Sequence, residues 1–272
     1  MKVAFQGERG AFSESAVYAF FGKKVEVKPC RDLTEVFENV SKQETRFGVV
    51  PIENSLEGSV NQTYDLFLTH DLKVCGEIIL RVSHCLIANP GVTLADIKTV
   101  YSHPQALAQC RIFLERLGSE LVPTYDTAGS VKMLKEKGLK DAAAVASEKA
   151  AEIYGMKILA KEIEDNPSNY TRFFVLSHED SPMTGKDKTS IIFSAAHTPG
   201  SLYTALSEFA KRKINLTRIE SRPTKQKPWE YNFYLDFEGH RGEGNCAEAL
   251  KALEKSATFV KILGSYPRAA QR

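Results

Sequence analysis

What most constrains this chain is a change of pattern near residue 178. From residue 2 to about residue 177, short apolar runs alternate with amphipathic stretches. The runs at 3–5, 25–27, 47–51, 99–102 and 142–146 predict strands, and helical spacing predicts helices over 13–21, 32–40, 59–68, 105–117, 127–137 and 148–154. Asp32 followed three residues later by Glu35 has the spacing of a capping box, which marks a helix start. Such alternation implies a mostly parallel sheet with helices on its faces. The run at 73–88 stays strand-like well beyond one ordinary strand length, so it is expected to cross between two subdomains, with 157–176 making the return. Residues 178–188 are polar, carry Pro182 and Gly185 and lack an apolar period, which predicts a linker. A strand (189–195), a helix (200–211), two strands (214–220 and 230–237), a helix (247–255) and a strand (259–263) follow.

Composition limits the possibilities. The chain has 272 residues, above the size at which single cores tend to split. A formal net charge of +2 and the absence of like-charge runs give no case for nucleic-acid binding. No apolar run approaches the roughly 20 residues of a bilayer span, and the chain opens directly on the strand pattern Lys2-Val3-Ala4-Phe5 without a signal-peptide architecture. The five cysteines are scattered without a CxxC pair and read as reduced thiols, so a cytoplasmic protein is expected. The histidines show neither HxxxH nor HExxH spacing, and no dinucleotide or Walker motif is present; neither a metal nor a cofactor is expected.

Two α/β lobes joined by two crossings enclose a cleft, an architecture similar to that of periplasmic-binding proteins. Lobe one is expected over about 1–77 and 158–178, lobe two over about 78–157. Several predicted helices begin with hydroxyl residues after small turns: Ser13 after Gly7–Gly10, Ser59 after Gly58, and Thr127 to Ser130 after Asp126. Plain N-capping explains each one singly. Helix heads at the carboxyl ends of strands also collect ligands and attract anions, so a small dicarboxylate suits the cleft.

Four separated motifs then stand in order: Gly48-Val49-Val50-Pro51-Ile52-Glu53-Asn54-Ser55, Ser102-His103-Pro104-Gln105, Asn169-Tyr170-Thr171-Arg172-Phe173-Phe174 and Glu220-Ser221-Arg222-Pro223. Together they resemble the prephenate dehydratase family, from the first strand nearly to the last residue. The resemblance implies a catalytic domain over 1–178 that converts prephenate to phenylpyruvate, CO2 and water. It implies Thr171 as the hydrogen-bonding or proton-donating group at the leaving hydroxyl and Arg172 as anchor for the pyruvyl carboxylate. It also places Glu53, Asn54, Ser55, Ser59, Ser102, His103, Gln105, Gln109, Thr127 and Phe173 around the substrate. Arogenate is the alternative substrate, and a non-catalytic binding or sensor protein is the alternative class.

The second module, 188–266, has the order βαββαβ of a ferredoxin-like sandwich. With Pro199-Gly200 at its first strand–helix junction it resembles an ACT domain. In the dehydratases such a domain implies phenylalanine as feedback inhibitor, here at Gly200, Ser201, Leu202, Asn215, Glu220, Ser221 and Arg222. Ser201 replaces the small apolar residue of the family's Gly-Ala-Leu run, matched here by Gly200-Ser201-Leu202, and the bulky Tyr203 follows it. The chain carries no helical chorismate mutase segment, so the monofunctional enzyme is the closer resemblance, and pairing into a homodimer or homotetramer is expected.

Overall fold

Val3, Ala4 and Phe5 lose all solvent contact at the centre of the first sheet. The computed structural model describes residues 1–224 and 229–269. Two compact units make up the chain: Met1–Thr69 with Ile78–Phe173, and His70–Glu77 with Phe174–Arg272. Lobe one contains β1 (Lys2–Gln6), α1 (Phe12–Phe21), β2 (Glu26–Cys30), α2 (Leu33–Ser41), β3 (Phe47–Asn54), β4 (Gly58–Ser59), α3 (Asn61–Thr69) and β5 (Lys73–Arg81). Lobe two contains β6 (Cys85–Ala88), β7 (Thr99–Ser102), α4 (Pro104–Gln109), α5 (Arg111–Leu117), β8 (Glu120–Pro123), α6 (Thr127–Lys137), β9 (Ala142–Ala146), α7 (Glu148–Tyr154) and β10 (Lys157–Ala160). The chain then returns along β11 (Tyr170–Ser177).

The first sheet runs β2-β1-β3-β11-β5, with β4 paired to β3, and β1 is parallel to both β2 and β3. Phe37 on α2 and Phe67 on α3 meet edge-to-face at 5.2 Å beneath it. Each is fully buried and contributes on the order of 1.5–3 kcal/mol of apolar transfer energy. The second sheet runs β10-β6-β9-β7-β8. It is less parallel than the alternation implied. β7 is parallel to β8 and β9, but β6 is antiparallel to β9 and β10, because β6 and β10 are the strands that enter from and leave for the other lobe.

Two predicted elements are interrupted, each for a tertiary reason. The run 73–88 breaks at Val82–His84, where the Val82 amide donates to the Asn169 carbonyl (2.8 Å) and the His84 carbonyl accepts from Ile163 (3.1 Å). The predicted helix 105–117 breaks at Cys110 into α4 and α5. Asp165 fills that break: its amide donates to the Gln109 carbonyl at 2.7 Å and its carboxylate accepts from the Ile112 amide at 3.0 Å. An inserted group of this kind ends one helix and starts the next.

The second unit carries β12 (Asp187–Ala195), α8 (Ser201–Ala210), β13 (Leu216–Pro223), β14 (Tyr231–Glu238), α9 (Gly244–Ser256) and β15 (Ala257–Pro267) in the predicted βαββαβ order. Its sheet is β13-β14-β12-β15, antiparallel throughout, and β13 is an edge strand. Phe209 of α8 and Phe237 of β14 meet at 5.1 Å in a core with Ile191, Phe193 and Leu253. On the other face Tyr266 meets Phe174, and Lys188 pairs with the buried Glu77 at 3.0 Å. The polar segment after β11 is pinned. Asp187 accepts from the amides of Thr184 and Gly185, and Asp180 pairs with Arg241. No helix among the described residues is long and apolar enough to cross a membrane.

Within this unit β15 runs against residues 73–75 so closely that only glycine fits at 264: a Cβ there would lie 2.2 Å from the Val74 carbonyl oxygen. Gly264→Ala is expected to cost about 1–3 kcal/mol through overpacking, read as a lower urea midpoint. An unchanged midpoint would show that the two segments do not approach this closely.

Candidate active site

The site begins where β3 ends. Asn54 is 8% exposed, and its Oδ1 accepts from the backbone amides of Leu56 (2.9 Å) and Glu57 (3.1 Å). Those amides fix the orientation of the carboxamide, since only oxygen can face two N–H donors. Nδ2 is thereby aimed across the sheet, where it donates to Asn169 Oδ1 at 2.7 Å and Thr171 Oγ1 at 3.0 Å. Ser55 closes the same junction. Its amide donates to the Tyr170 carbonyl (2.8 Å), its hydroxyl donates to the Ser168 carbonyl (3.0 Å), and that hydroxyl accepts from the Tyr170 amide (2.9 Å). The end of β3 therefore holds the mouth of β11, where Thr171 stands. Thr171 accepts a bond from Asn54 and keeps its own proton to donate elsewhere.

The network continues inward. Asn169 is fully buried, and its Nδ2 donates to Gln109 Oε1 at 2.9 Å. The same Gln109 oxygen faces His84 Nε2 at 3.1 Å, and Gln109 Nε2 reaches Glu57 at 3.4 Å. His84 is 2% exposed, and burial pushes its pKa below the ordinary imidazole value against the Gln109 oxygen and the Glu164 carboxylate, which favour charge. Glu164 accepts from the His84 amide and pairs with Arg81.

Around this core the residues singled out in the sequence divide into groups. Asn54, Ser55, Gln109 and Thr171 come together with Asn169. Arg172 lies beside Glu53, 4.0 Å from its carboxylate, with only 11% of its side chain exposed. Ser59 pairs with Glu53 in β4, and α3 starts after it, at Asn61. Phe173 is 1% exposed and belongs to the core. Ser102 is fully buried and its hydroxyl donates to the Val145 carbonyl at 2.6 Å, tying β7 to β9. His103 caps α4 by accepting from the Gln105 amide at 3.3 Å, and Thr127 is the first residue of α6. Among the described residues, His103, Gln105 and Thr127 make no hydrogen bond to the Asn54–Thr171 cluster.

The helix heads differ from the hydroxyl caps that the sequence suggested. The hydroxyl of Ser13 does not cap α1; the fully buried Glu14 accepts from the Gly10 amide (2.5 Å), Arg9 (2.6 Å) and the Tyr18 hydroxyl (3.0 Å). Asp126 caps α6 through the Gly129 amide at 2.6 Å, and burial raises its pKa. A carboxylate complements a helix dipole better than a hydroxyl. It also fills the head with the protein's own anion. Glu14, Asn169 and His84 were given no site role from the sequence. Glu14 and His84 lie in no motif, and Asn169, which opens the third motif, stands just before the strand that drew the assignment.

The prephenate dehydratase family model matches residues 3–181, and the ACT domain model matches 189–255. The chain belongs to the prephenate dehydratase family. It is 48% identical over 278 residues to arogenate dehydratase/prephenate dehydratase 2, chloroplastic, of Arabidopsis thaliana, covering 98% of this chain and 73% of that protein. Among solved structures, prephenate dehydratase from Arthrobacter aurescens in complex with L-Phe superposes with a TM-score of 0.91 at 35% identity, covering 98% of this chain and 90% of that one. A structure described as a novel type of quorum quenching acylase, GqqA, superposes with a TM-score of 0.90 at 35% identity, covering 99% and 98%.

Two outcomes follow from the geometry. Asn54→Asp keeps the acceptor for the Leu56 and Glu57 amides but loses both donors. Leaving Asn169 Oδ1 and Thr171 Oγ1 without their partner should cost about 1–3 kcal/mol of stability, and it should depress turnover. A variant with wild-type urea midpoint and kcat would contradict this assignment. For His84, a pKa held below the ordinary 6.5 means that the unfolded chain takes up the proton first. The contribution of neutral His84 is complete above about pH 6.5 and is lost as pH falls toward its folded pKa. The urea midpoint of the wild type should therefore drop more between pH 7.5 and 5.5 than that of His84→Gln, and equal drops would contradict burial of a neutral ring.

Proposed function

We propose that this chain catalyses the decarboxylating dehydration of prephenate to phenylpyruvate. The observation that carries the reading is the hydroxyl of Thr171, oriented as an acceptor toward Asn54, next in sequence to Arg172, whose guanidinium lies against Glu53. In the reaction the electrons of the bond to the departing carboxylate move into the ring, the C4–oxygen bond breaks, and the ring becomes aromatic. Thr171 donates a hydrogen bond to the oxygen as it leaves, and solvent supplies the proton that completes water. The hydroxyl is a weak acid, so its contribution is orientation and charge stabilisation in the transition state. Arg172 anchors the pyruvyl carboxylate through its planar fork. Clamping the departing carboxylate instead would stabilise the ground state and oppose its loss. Glu53 orients the guanidinium.

The acylase likeness has less support from the site. An acyl-transfer nucleophile needs an adjacent base, and Thr171 has a carboxamide donor as its neighbour. Arogenate shares the ring and both leaving groups, so comparison of kcat/KM for prephenate and arogenate decides the preferred substrate. Thr171→Val should lower kcat by about 10²–10⁴-fold with little change in KM; near-normal kcat removes Thr171 from the mechanism. Arg172→Lys should remain clearly impaired, because an ammonium lacks the bidentate geometry.

Phenylalanine is the regulatory ligand of the second unit in this reading. Its site is formed by Gly200 at the head of α8, Ser201 and Leu202 in its first turn, Asn215 before β13, and Glu220, Ser221 and Arg222 within β13. Gly200 has φ +84, a conformation that glycine adopts without strain. β13 is an edge with Ile219 exposed, and pairing of two such edges in a homo-oligomer covers the edge and forms a pocket for an aromatic ring. Feedback of ordinary strength corresponds to about 1–3 kcal/mol of coupling, and linkage makes it reciprocal. Phenylalanine affinity measured with and without a non-reactive prephenate analogue should differ; identical affinities would refute an allosteric site.

A further inference from the structure

We propose that His84 is a positioning residue for the dehydration, completing through its Nε2 proton the line of hydrogen bonds that ends at Thr171; this rests on the prephenate reading above. The direction is fixed from the far end. Two backbone amides hold Asn54 Oδ1, so its Nδ2 must donate to Thr171 Oγ1 and to Asn169 Oδ1. Asn169 then offers Nδ2 to Gln109, whose Oε1 must accept. The Glu57 carboxylate demands the same orientation of Gln109, because it can receive only the Nε2 end. A Gln109 oxygen facing His84 Nε2 at 3.1 Å requires that nitrogen to carry the proton. His84 Nδ1 is then the bare nitrogen, and it is buried without a partner. An unpaired buried acceptor has a cost, and its presence indicates that the tautomer is dictated by the Gln109 side.

Burial in the bend between β5 and β6, with the Phe12 ring edge-on at 5.5 Å, holds the imidazole neutral and in place. A single proton on Nε2 therefore sustains the sequence His84, Gln109, Asn169, Asn54, Thr171. If it moved to Nδ1, Gln109 Oε1 would face a lone pair. The Gln109 amide would then tend to rotate, and Asn169 would lose its defined acceptor. Asn54 would keep its two backbone donors but lose a firmly held Asn169 beside it, and the Thr171 hydroxyl would be displaced with the carboxamide. Misplacement of a reacting group by even an ångström can cost about 100-fold in rate.

Three measurements test this. The first is the tautomer itself, read from the ring nitrogen shifts of 15N-histidine-labelled wild-type protein at neutral pH. Nε2–H with bare Nδ1 is expected; Nδ1–H, or a doubly protonated ring, overturns the proposal. That reading needs no substrate, so it stands or falls apart from the assignment of prephenate. The second compares prephenate turnover by His84→Phe, which keeps an aromatic ring against Phe12 but has no N–H, and His84→Gln, whose amide can reach Gln109 from the Nε2 position. We expect kcat to fall about 10–100-fold in the Phe variant with KM within about threefold, and the Gln variant to recover most of the loss. Wild-type kcat in the Phe variant, or equal impairment of both, overturns it. The third places His84→Phe in a Thr171→Val background. There it should lower kcat little further, because the hydroxyl it positions is gone; a fully additive loss assigns His84 to general packing and overturns the proposal.

Discussion

The site depends on one carboxamide. Asn54 lies at the end of β3 with both ends of its amide committed, two backbone donors on the oxygen and two acceptors on the nitrogen. No other neutral side chain of its size offers two acceptor lone pairs and two hydrogens in one plane. Aspartate lacks the donors, and a hydroxyl lacks the reach to serve Asn169 and Thr171 together. The backbone turn at residues 54–57 and the start of β11 are thus joined through a group that tolerates one orientation. Ser55 repeats the junction with main-chain geometry, so β11 is held in register where Thr171 and Arg172 emerge.

The second lobe enters this arrangement through Gln109, and the break between α4 and α5 explains how. A continuous helix would bond the Gln109 carbonyl to an amide one turn further on. Asp165 takes that carbonyl instead and supplies a carboxylate to the Ile112 amide. The helix stops at Gln109, whose side chain meets Asn169, His84 and Glu57. Asp165 and Asn169 both belong to the return segment before β11. One stretch of chain therefore ends the helix and receives the amide that ends it.

Much of the fold was legible in the sequence because it rests on periodicity. The strands at 3–5, 47–51 and 142–146 are buried runs, and the helix at 32–40 carries the cap at Asp32 that its spacing to Glu35 announced, whereas the cap of the helix at 127–137 is Asp126 in place of the hydroxyls expected there. The βαββαβ order of the second unit was legible for the same reason. β8 was not: Glu120–Pro123 is an edge strand with a mostly exposed pattern, so no apolar period announces it. The breaks at residues 82–84 and at Cys110 are invisible locally, because the groups that cause them lie about 50 to 90 residues away. Polar residues 178–186 mark a pause in regular structure before β12, whereas chain boundaries of the compact units fall within the strands β5 and β11, where composition does not change.

In the site, the motif residues were readable as types and their division of labour was not. Ser55, Ser102 and Gln109 read as substrate contacts. Their polar atoms are directed at Ser168 and Tyr170, at Val145, and at Asn169, His84 and Glu57 respectively. A hydroxyl or amide in a motif has the same sequence signature whether it binds a ligand or the backbone beside it. Burial separates the two. Ser102 has no solvent contact, whereas Thr171 has a hydroxyl with one bond accepted and its proton unassigned within the protein. The hydroxyl of Thr171, held as an acceptor by Asn54, retains a hydrogen bond to give, and the surrounding amides are ordered about it.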